Sequence, residues 1–308
     1  MTDSPIAVSV GAHPEDAASW LALARRVDAG GFATLYTADH PGSETSPFVA
    51  LAAAAAVTER VALGTCVVNA GLWEPIALAS EVATLDVVSG GRALLGLGAG
   101  HTPAEWEAVG RTIPSAGARV DRLEQVVAVV PRLLAGDEVT VDGPHIRATA
   151  ATLAKPRPVQ DPVPLMIGGA GRRVLALGAR EADVVGVTGL GRTLADGHRH
   201  TVRWTEAELE ASFGGLNAAI AAAGTAPAIE ALVQHVEVTD DPEAAAARLA
   251  EKIGDVDPVH LLDVPYVWLG PIDAIVAQLR RHRERWGIDR YVVRVAALDP
   301  ATEILRVL

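Results

Sequence analysis

Residues 94–101 read Leu94-Leu95-Gly96-Leu97-Gly98-Ala99-Gly100-His101, with glycine at every second position behind a short apolar run. A dinucleotide-binding turn needs G-x-G-x-x-G directly after the first strand, with an acidic residue about 20 residues further on. Here the spacing is G-x-G-x-G. His101 holds the third required glycine position, and the run follows the fourth strand-like segment rather than the first. The dinucleotide reading fails on spacing and on place. What remains is either a plain glycine turn or the end of a barrel strand, where the backbone turns sharply and leaves room for a flat ligand.

Working outward, short apolar runs alternate with longer helical patterns. The runs are 6–10, 34–37, 61–68, 93–97, 165–167, 184–187, 233–238 and 291–295, nearly continuous in apolar residues and rich in Val and Ile. Strands buried on both faces look like this. Between them, 120–134 places Val120, Leu123, Val126, Val127, Val130, Leu133 and Leu134 at three- and four-residue intervals, and Gly136 follows as a C-cap. Pro131 is expected to kink the last turn. About eight strand–helix units predict an α/β fold, a (β/α)8 TIM barrel. The extra length goes into insertions after strands 4, 6 and 7. These are 139–147, a hairpin around Asp142-Gly143, then 189–203, and then 255–265. Nothing resembles a linker, so one domain is expected over 1–308. A doubly wound open sheet is the structural rival, because it uses the same alternation.

Composition narrows the partners. With a net charge of −12 and no dense basic run, nucleic acid is not expected. Cys66 is the single cysteine, so no internal disulfide can form. The first 16 residues lack a basic region followed by a long apolar one. The longest apolar run, 48–57, falls short of the roughly 20 residues a membrane span takes. A soluble, cytoplasmic protein is expected. Neither an H-x-x-x-H nor a cysteine cluster suggests a metal, and no G-x-S-x-G suggests a hydrolase.

A barrel builds its site at the C-terminal ends of its strands. Those ends carry Asp39-His40, then Thr65-Cys66-Val67, then Gly98-Ala99-Gly100-His101, then Gly168-Gly169-Ala170-Gly171, then Thr188. The fourth of these is the most informative. Unhindered backbone N–H groups where a helix begins bind phosphate, and Arg172 and Arg173 add positive charge. His40 and His101 are the proton-transfer candidates, since imidazole titrates near ambient pH. Glu105 and Glu107 stand two apart and point in different directions on a helix, so they do not form an acid pair.

Five stretches resemble the bacterial luciferase-like monooxygenase superfamily, and within it the coenzyme F420-dependent oxidoreductases of actinobacterial type. They are 32–40 (FATLYTADH), 61–65 (VALGT), 83–92 (ATLDVVSGGR), 95–100 (LGLGAG) and 164–169 (PLMIGG). The resemblance runs from about residue 5 to residue 296. It implies a barrel that binds F420, or FMN, at the C-terminal rim, often as a homodimer. His40 of the Asp39-His40 pair would lie near the reactive ring. Cys66-Val67 matches the place of a non-proline cis peptide that presses on one ring face. Gly98, Ala99 and Gly100 would line the ring edge or the phosphate path. Gly169, Ala170, Gly171 and Arg172 match the phosphate-binding turn, and Thr188 matches a residue that hydrogen-bonds the cofactor. Two departures stand out. The best-known sugar-phosphate dehydrogenases of the family have a glutamate where His101 stands and a tryptophan shortly after Asp-His. Here the run continues Pro41-Gly42-Ser43-Glu44.

The resulting expectation is hydride transfer between C5 of F420 and a small organic substrate, with His40 or His101 moving the proton. The activated bond would be C=C or C=N. The alternatives are an FMN-dependent monooxygenase using reduced flavin and O2, and a non-catalytic flavin or deazaflavin carrier. A separate F420 or flavin reductase would supply reduced cofactor. Loops 42–47 and 72–73, the segment after Gly100 and the insertion 189–203 would shape the substrate pocket, with His198 and His200 in the last.

Overall fold

The computed structural model describes residues 5–193, 200–254 and 256–308. Eight parallel strands form its centre: β1 Ala7–Gly11, β2 Thr34–Thr37, β3 Ala62–Thr65, β4 Ala93–Gly98, β5 Leu165–Gly169, β6 Val184–Val187, β7 Ala228–Val233 and β8 Ile288–Arg294. Each pairs with the next, and β8 returns to β1 in the register Ala7↔Arg290 to Gly11↔Arg294. The sheet is therefore a closed TIM barrel, and the open-sheet rival is excluded. Every residue of β2, β4 and β6 is buried, as strands covered on both faces must be.

The helices pack around this cylinder. Ala116–Ala135 turns Leu123, Val126, Val127, Val130, Leu133 and Leu134 inward. Ser115 caps its start through the Ala118 N–H, and Gly136 ends it at φ 84°. The helix carries Pro131 inside its last turn and continues to Ala135. One apolar cluster reaches from Ile6 to Ile304. Among the described residues no helix is long and apolar enough to cross a membrane.

Two strands lie elsewhere than the apolar runs place them. The seventh barrel strand is Ala228–Val233, not 233–238; His235–Val238 pairs instead with Val267–Gly270 outside the barrel. The eighth begins at Ile288, three residues before the run read from sequence. The reason is a polar layer inside the barrel. Tyr36 Oη donates to Glu230 Oε2 at 2.8 Å, and Arg290 Nε lies 3.8 Å from the same oxygen. Burial pushes the Glu230 carboxyl up, while Arg290 and Tyr36 oppose it. These charged residues interrupt the apolar signal of both strands.

The insertions fall near their expected places. Val139–Asp142 and Arg147–Ala151 form the hairpin, closed by Gly143 N–H to Ile146 O at 3.0 Å. Leu190–Thr193 pairs with His200–Val202. The third, 255–265, holds the helical turn Pro258–Leu261. His198 and Asp255 lie outside the described residues.

Candidate active site

The rim is organised around strand three. The Cys66–Val67 peptide is cis, and the chain resumes pairing at Val68–Asn69 alongside β4. The glycines of the opening sequence make room for this bulge. A Cβ on Gly96 would sit 1.9 Å from Thr65 O, and one on Gly98 would meet Val67 at 2.5 Å. On β5, a Cβ on Gly168 would meet Val67 at 2.8 Å. With Gly100, which packs against Asn69, all three alternating glycines receive a neighbouring part of the protein itself. Thr65 is fully buried and spends its hydroxyl on Gly96, accepting from the N–H at 2.9 Å and donating to the carbonyl at 3.0 Å.

Just past the bulge, Asn69 and Asp39 tie three strand ends together. Asp39 is buried, and its Oδ2 accepts from Trp73 Nε1 at 2.8 Å and from the Asn69 N–H at 3.2 Å. Burial raises the Asp39 pKa, with those two bonds opposing. Asn69 Nδ2 donates to Glu105 Oε2 at 2.7 Å, and Glu105 Oε1 meets His40 Nδ1 at 2.6 Å. Gly100, at φ 70°, passes so close to Asn69 that a Cβ would lie 2.1 Å from its Oδ1.

This chain sets the charge on His40. The Glu105 hydrogen bond holds the His40 pKa above its ordinary value; burial opposes it, and the charges of Glu105, Glu44 and Asp39 add to it. For Glu105, burial favours the neutral acid, but the His40 and Asn69 bonds outweigh it and the net shift is downward. Ion pairing of an imidazolium with a carboxylate is the consistent description. His101 stands edge-on to His40, with ring centroids 6.2 Å apart.

His13, after β1, completes the rim. Its Nε2 is 2.6 Å from Glu44 Oε2. Burial lowers its pKa, Glu44 opposes, and His40 and Arg294 add to the lowering. Two neighbouring histidines are thus pushed in opposite directions. Burial first, then Glu230, push the Cys66 thiol up to about 12, which disfavours the thiolate.

The phosphate candidate lies at β5. Gly169 ends the strand, Gly171 is the N-cap of Arg172–Glu181, and no side chain caps that helix. A Cβ on Gly171 would meet nothing within 4 Å, and no side chain takes the first N–H groups of the helix. Arg203 Nη1 donates to Ala170 O at 3.1 Å and brings a cation to the turn. Arg173 does not serve it, because its guanidinium is held by Asp121 at 2.8 Å and Glu124 at 3.0 Å. Thr188 Oγ1 accepts from the Leu190 N–H at 3.3 Å.

Asp39, His40, Cys66, Gly100 and His101 therefore meet around one mouth, and the Gly169–Arg172 turn stands at the end of β5 on the same rim. Asn69 and His13, not singled out from sequence, stand at the same mouth, and Glu105, set aside as a partner of Glu107, stands there as a partner of His40. His13 follows strand one as Asp39-His40 follows strand two, so the strand-end rule could have found it. Position 101 holds a histidine, and the carboxylate beside His40 is that of Glu105, four residues further on. A tryptophan reaches Asp39 from residue 73 rather than from just after Asp-His.

The sequence profile of the luciferase-like monooxygenase family matches residues 2–290. The chain belongs to that family. This luciferase-like protein is 30% identical over 269 residues to an F420-dependent glucose-6-phosphate dehydrogenase of Beutenbergia cavernae, covering 80% of this chain and 74% of the relative. In three dimensions the luciferase-like barrel superposes on the F420-dependent tetrahydromethanopterin reductase of Methanopyrus kandleri with a TM-score of 0.75, at 19% identity and covering 98% and 97% of the two chains. It also superposes on a long-chain alkane monooxygenase with a TM-score of 0.77, at 15% identity and covering 99% and 92%. Both structural matches establish the shared fold.

Proposed function

We propose that the protein is an F420-dependent oxidoreductase that reduces an activated C=C or C=N bond of a small organic substrate. The 30% identical dehydrogenase supports the cofactor. The observation that carries the reading is the His40–Glu105–Asn69 chain. A histidine whose proton is stabilised by a buried carboxylate can hold a proton and give it up, and reduction by hydride needs a proton on the second atom.

The residues present fit the cofactor. The uncapped glycine turn Gly169–Arg172, with Arg203, suits its phosphate. Cys66-Val67 and Gly98–Gly100 would meet the flat ring, and Asp39 and Thr65 hold those loops in place through their hydrogen bonds. When bound, F420 supplies a two-electron hydride at C5 and reacts little with oxygen. Glu105 keeps the His40 Nδ1 proton in its hydrogen bond, which leaves Nε2 as the atom that delivers a proton to substrate. His13, held neutral, does not compete for it. With this reading go a homodimer, a separate reductase that regenerates the cofactor, and a cytoplasmic setting.

Titration of the purified protein with F420 and with FMN, followed by ring fluorescence, tests the reading. Tight F420 binding and oxidation of reduced F420 by enones or imines are expected. Tight binding of FMN alone would assign the mouth to flavin and oxygen chemistry instead. Binding of F420 without turnover on such a panel would make the protein a carrier.

A further inference from the structure

The helix Ala116–Ala135, the segment 111–114 and the hairpin tip at Pro144 and His145 line an open cavity of about 430 Å3. Arg111, Arg119 and Arg122 line it beside Trp106 and His145, and among the described residues no acidic side chain does. In a chain of net charge −12, three arginines around one acid-free cavity need a reason.

Arg122 has a structural one. It donates to Ala70 O at 3.0 Å, to Trp73 O at 2.8 Å and to His145 O, and it lies 3.5 Å from Glu74. His145 stands 4.0 Å from Asp121. Arg111 and Arg119 have no carboxylate partner among the described residues. Arg111 lies over the Trp106 ring, 5.1 Å from its centre, and Arg119 donates to Pro114 O at 2.6 Å. Two donors remain buried with no acceptor, Arg119 Nε and Trp106 Nε1. Trp106 is 3% exposed. Buried donors without acceptors are costly, and an anion in the cavity would satisfy them.

The cavity touches both halves of the candidate site. Trp106 follows Glu105 in the chain and fills the space over Gly71, where a Cβ would lie 2.2 Å from its ring. On the other side, Asp121, two residues from Arg119 on the same helix, holds Arg173 at the start of the glycine-turn helix. Through His145, 4.0 Å from Asp121, and Asp121, 2.8 Å from Arg173, the cavity is linked to the start of the helix that follows the proposed phosphate turn.

We propose that this cavity is a second anion site, taking the carboxylates of the chain that follows the phosphate in F420. The proposal rests on the cofactor reading above. FMN ends at its phosphate and has nothing to place there. A free polycarboxylate shares the chemistry, so the test separates the two sources.

The full-length protein and its R111A/R119A variant are titrated by fluorescence with F420 bearing several glutamates and with the same deazaflavin phosphate bearing none. Citrate is added as a free polyanion. In the wild type the glutamylated form binds about tenfold tighter at low salt, as expected for one or two charge-assisted contacts. That preference shrinks as salt rises. It vanishes in the variant, which binds the short form as the wild type does and so reports an intact fold. Citrate competes with the long form and not the short one. Equal affinities in the wild type, or a preference that survives R111A/R119A, overturn the proposal. Citrate binding that weakens neither form assigns the cavity to a free anion and overturns it equally. If neither deazaflavin binds while FMN does, the cofactor reading itself fails, an outcome distinct from loss of the tail preference.

Discussion

A carboxylate 2.6 Å from His40 Nδ1 orients the ring and stabilises its proton together. Glu105→Gln removes the charge and keeps the shape. The His40 pKa then falls. In reduction the protonated form is the active one, so activity is retained below the raised pKa and lost above it. The alkaline limb of the kcat profile is therefore expected to move to lower pH in E105Q, with kcat at neutral pH down about ten- to a hundredfold. A limb that stays in place would remove Glu105 from the mechanism. Gly100→Ala acts on the same chain from outside. Its φ of 70° and the 2.1 Å approach to Asn69 predict a loss of about 1–2 kcal/mol in denaturant unfolding, with the pH limb shifting in the E105Q direction. Asp39, His40, Cys66 and Gly100 were legible because strand ends and glycines mark a barrel rim. Asn69 and Glu105 were not, because each matters through a partner more than thirty residues away, 36 apart from one another and, for Glu105, 65 from His40. The divergence of Glu105 from Glu107 along the helix was readable; that Glu105 turns onto His40 was not.

Among the elements, the helix Arg172–Glu181 is the informative one, because it follows a barrel strand directly, with glycine at its N-cap and no side-chain cap. Natural N-caps are Ser, Thr, Asp or Asn, and Asp adds favourable charge at that end. Gly171 has φ −78° and open space for a Cβ, so Gly171→Asp meets no steric barrier. Thermal unfolding of G171D is expected to show unchanged or slightly raised stability, by a few tenths of a kcal/mol. Its F420 affinity is expected to fall at least about tenfold, since the new carboxylate takes the N–H groups and repels the phosphate. Unchanged affinity would move the phosphate away from this turn. Stability and binding are predicted to part company here, which a merely structural glycine would not produce.

For the whole molecule, closure of the barrel brings Glu230 of β7, Arg290 of β8 and Tyr36 of β2 into one interior layer. Removing one member of a buried pair leaves the other uncompensated, so Glu230→Ala is expected to cost about 3–5 kcal/mol in urea unfolding. The same layer explains which strands were hard to place. Six of the eight lie within or against apolar runs that sequence periodicity finds. In β7 and β8 a charged residue breaks the run, and the pairing that makes it tolerable exists in the closed barrel alone. The barrel in turn fixes the central claim, that one mouth holds a deazaflavin ring beside His40 and its phosphate on an uncapped helix. The most direct measurement is a crystal structure of the F420 complex. The account predicts phosphate oxygens on the backbone N–H groups at Gly171 and Arg172, the ring against Cys66–Val67, and C5 on the His40 side. A ring bound away from Cys66–Val67, or a phosphate far from the Gly169–Arg172 turn, would contradict it.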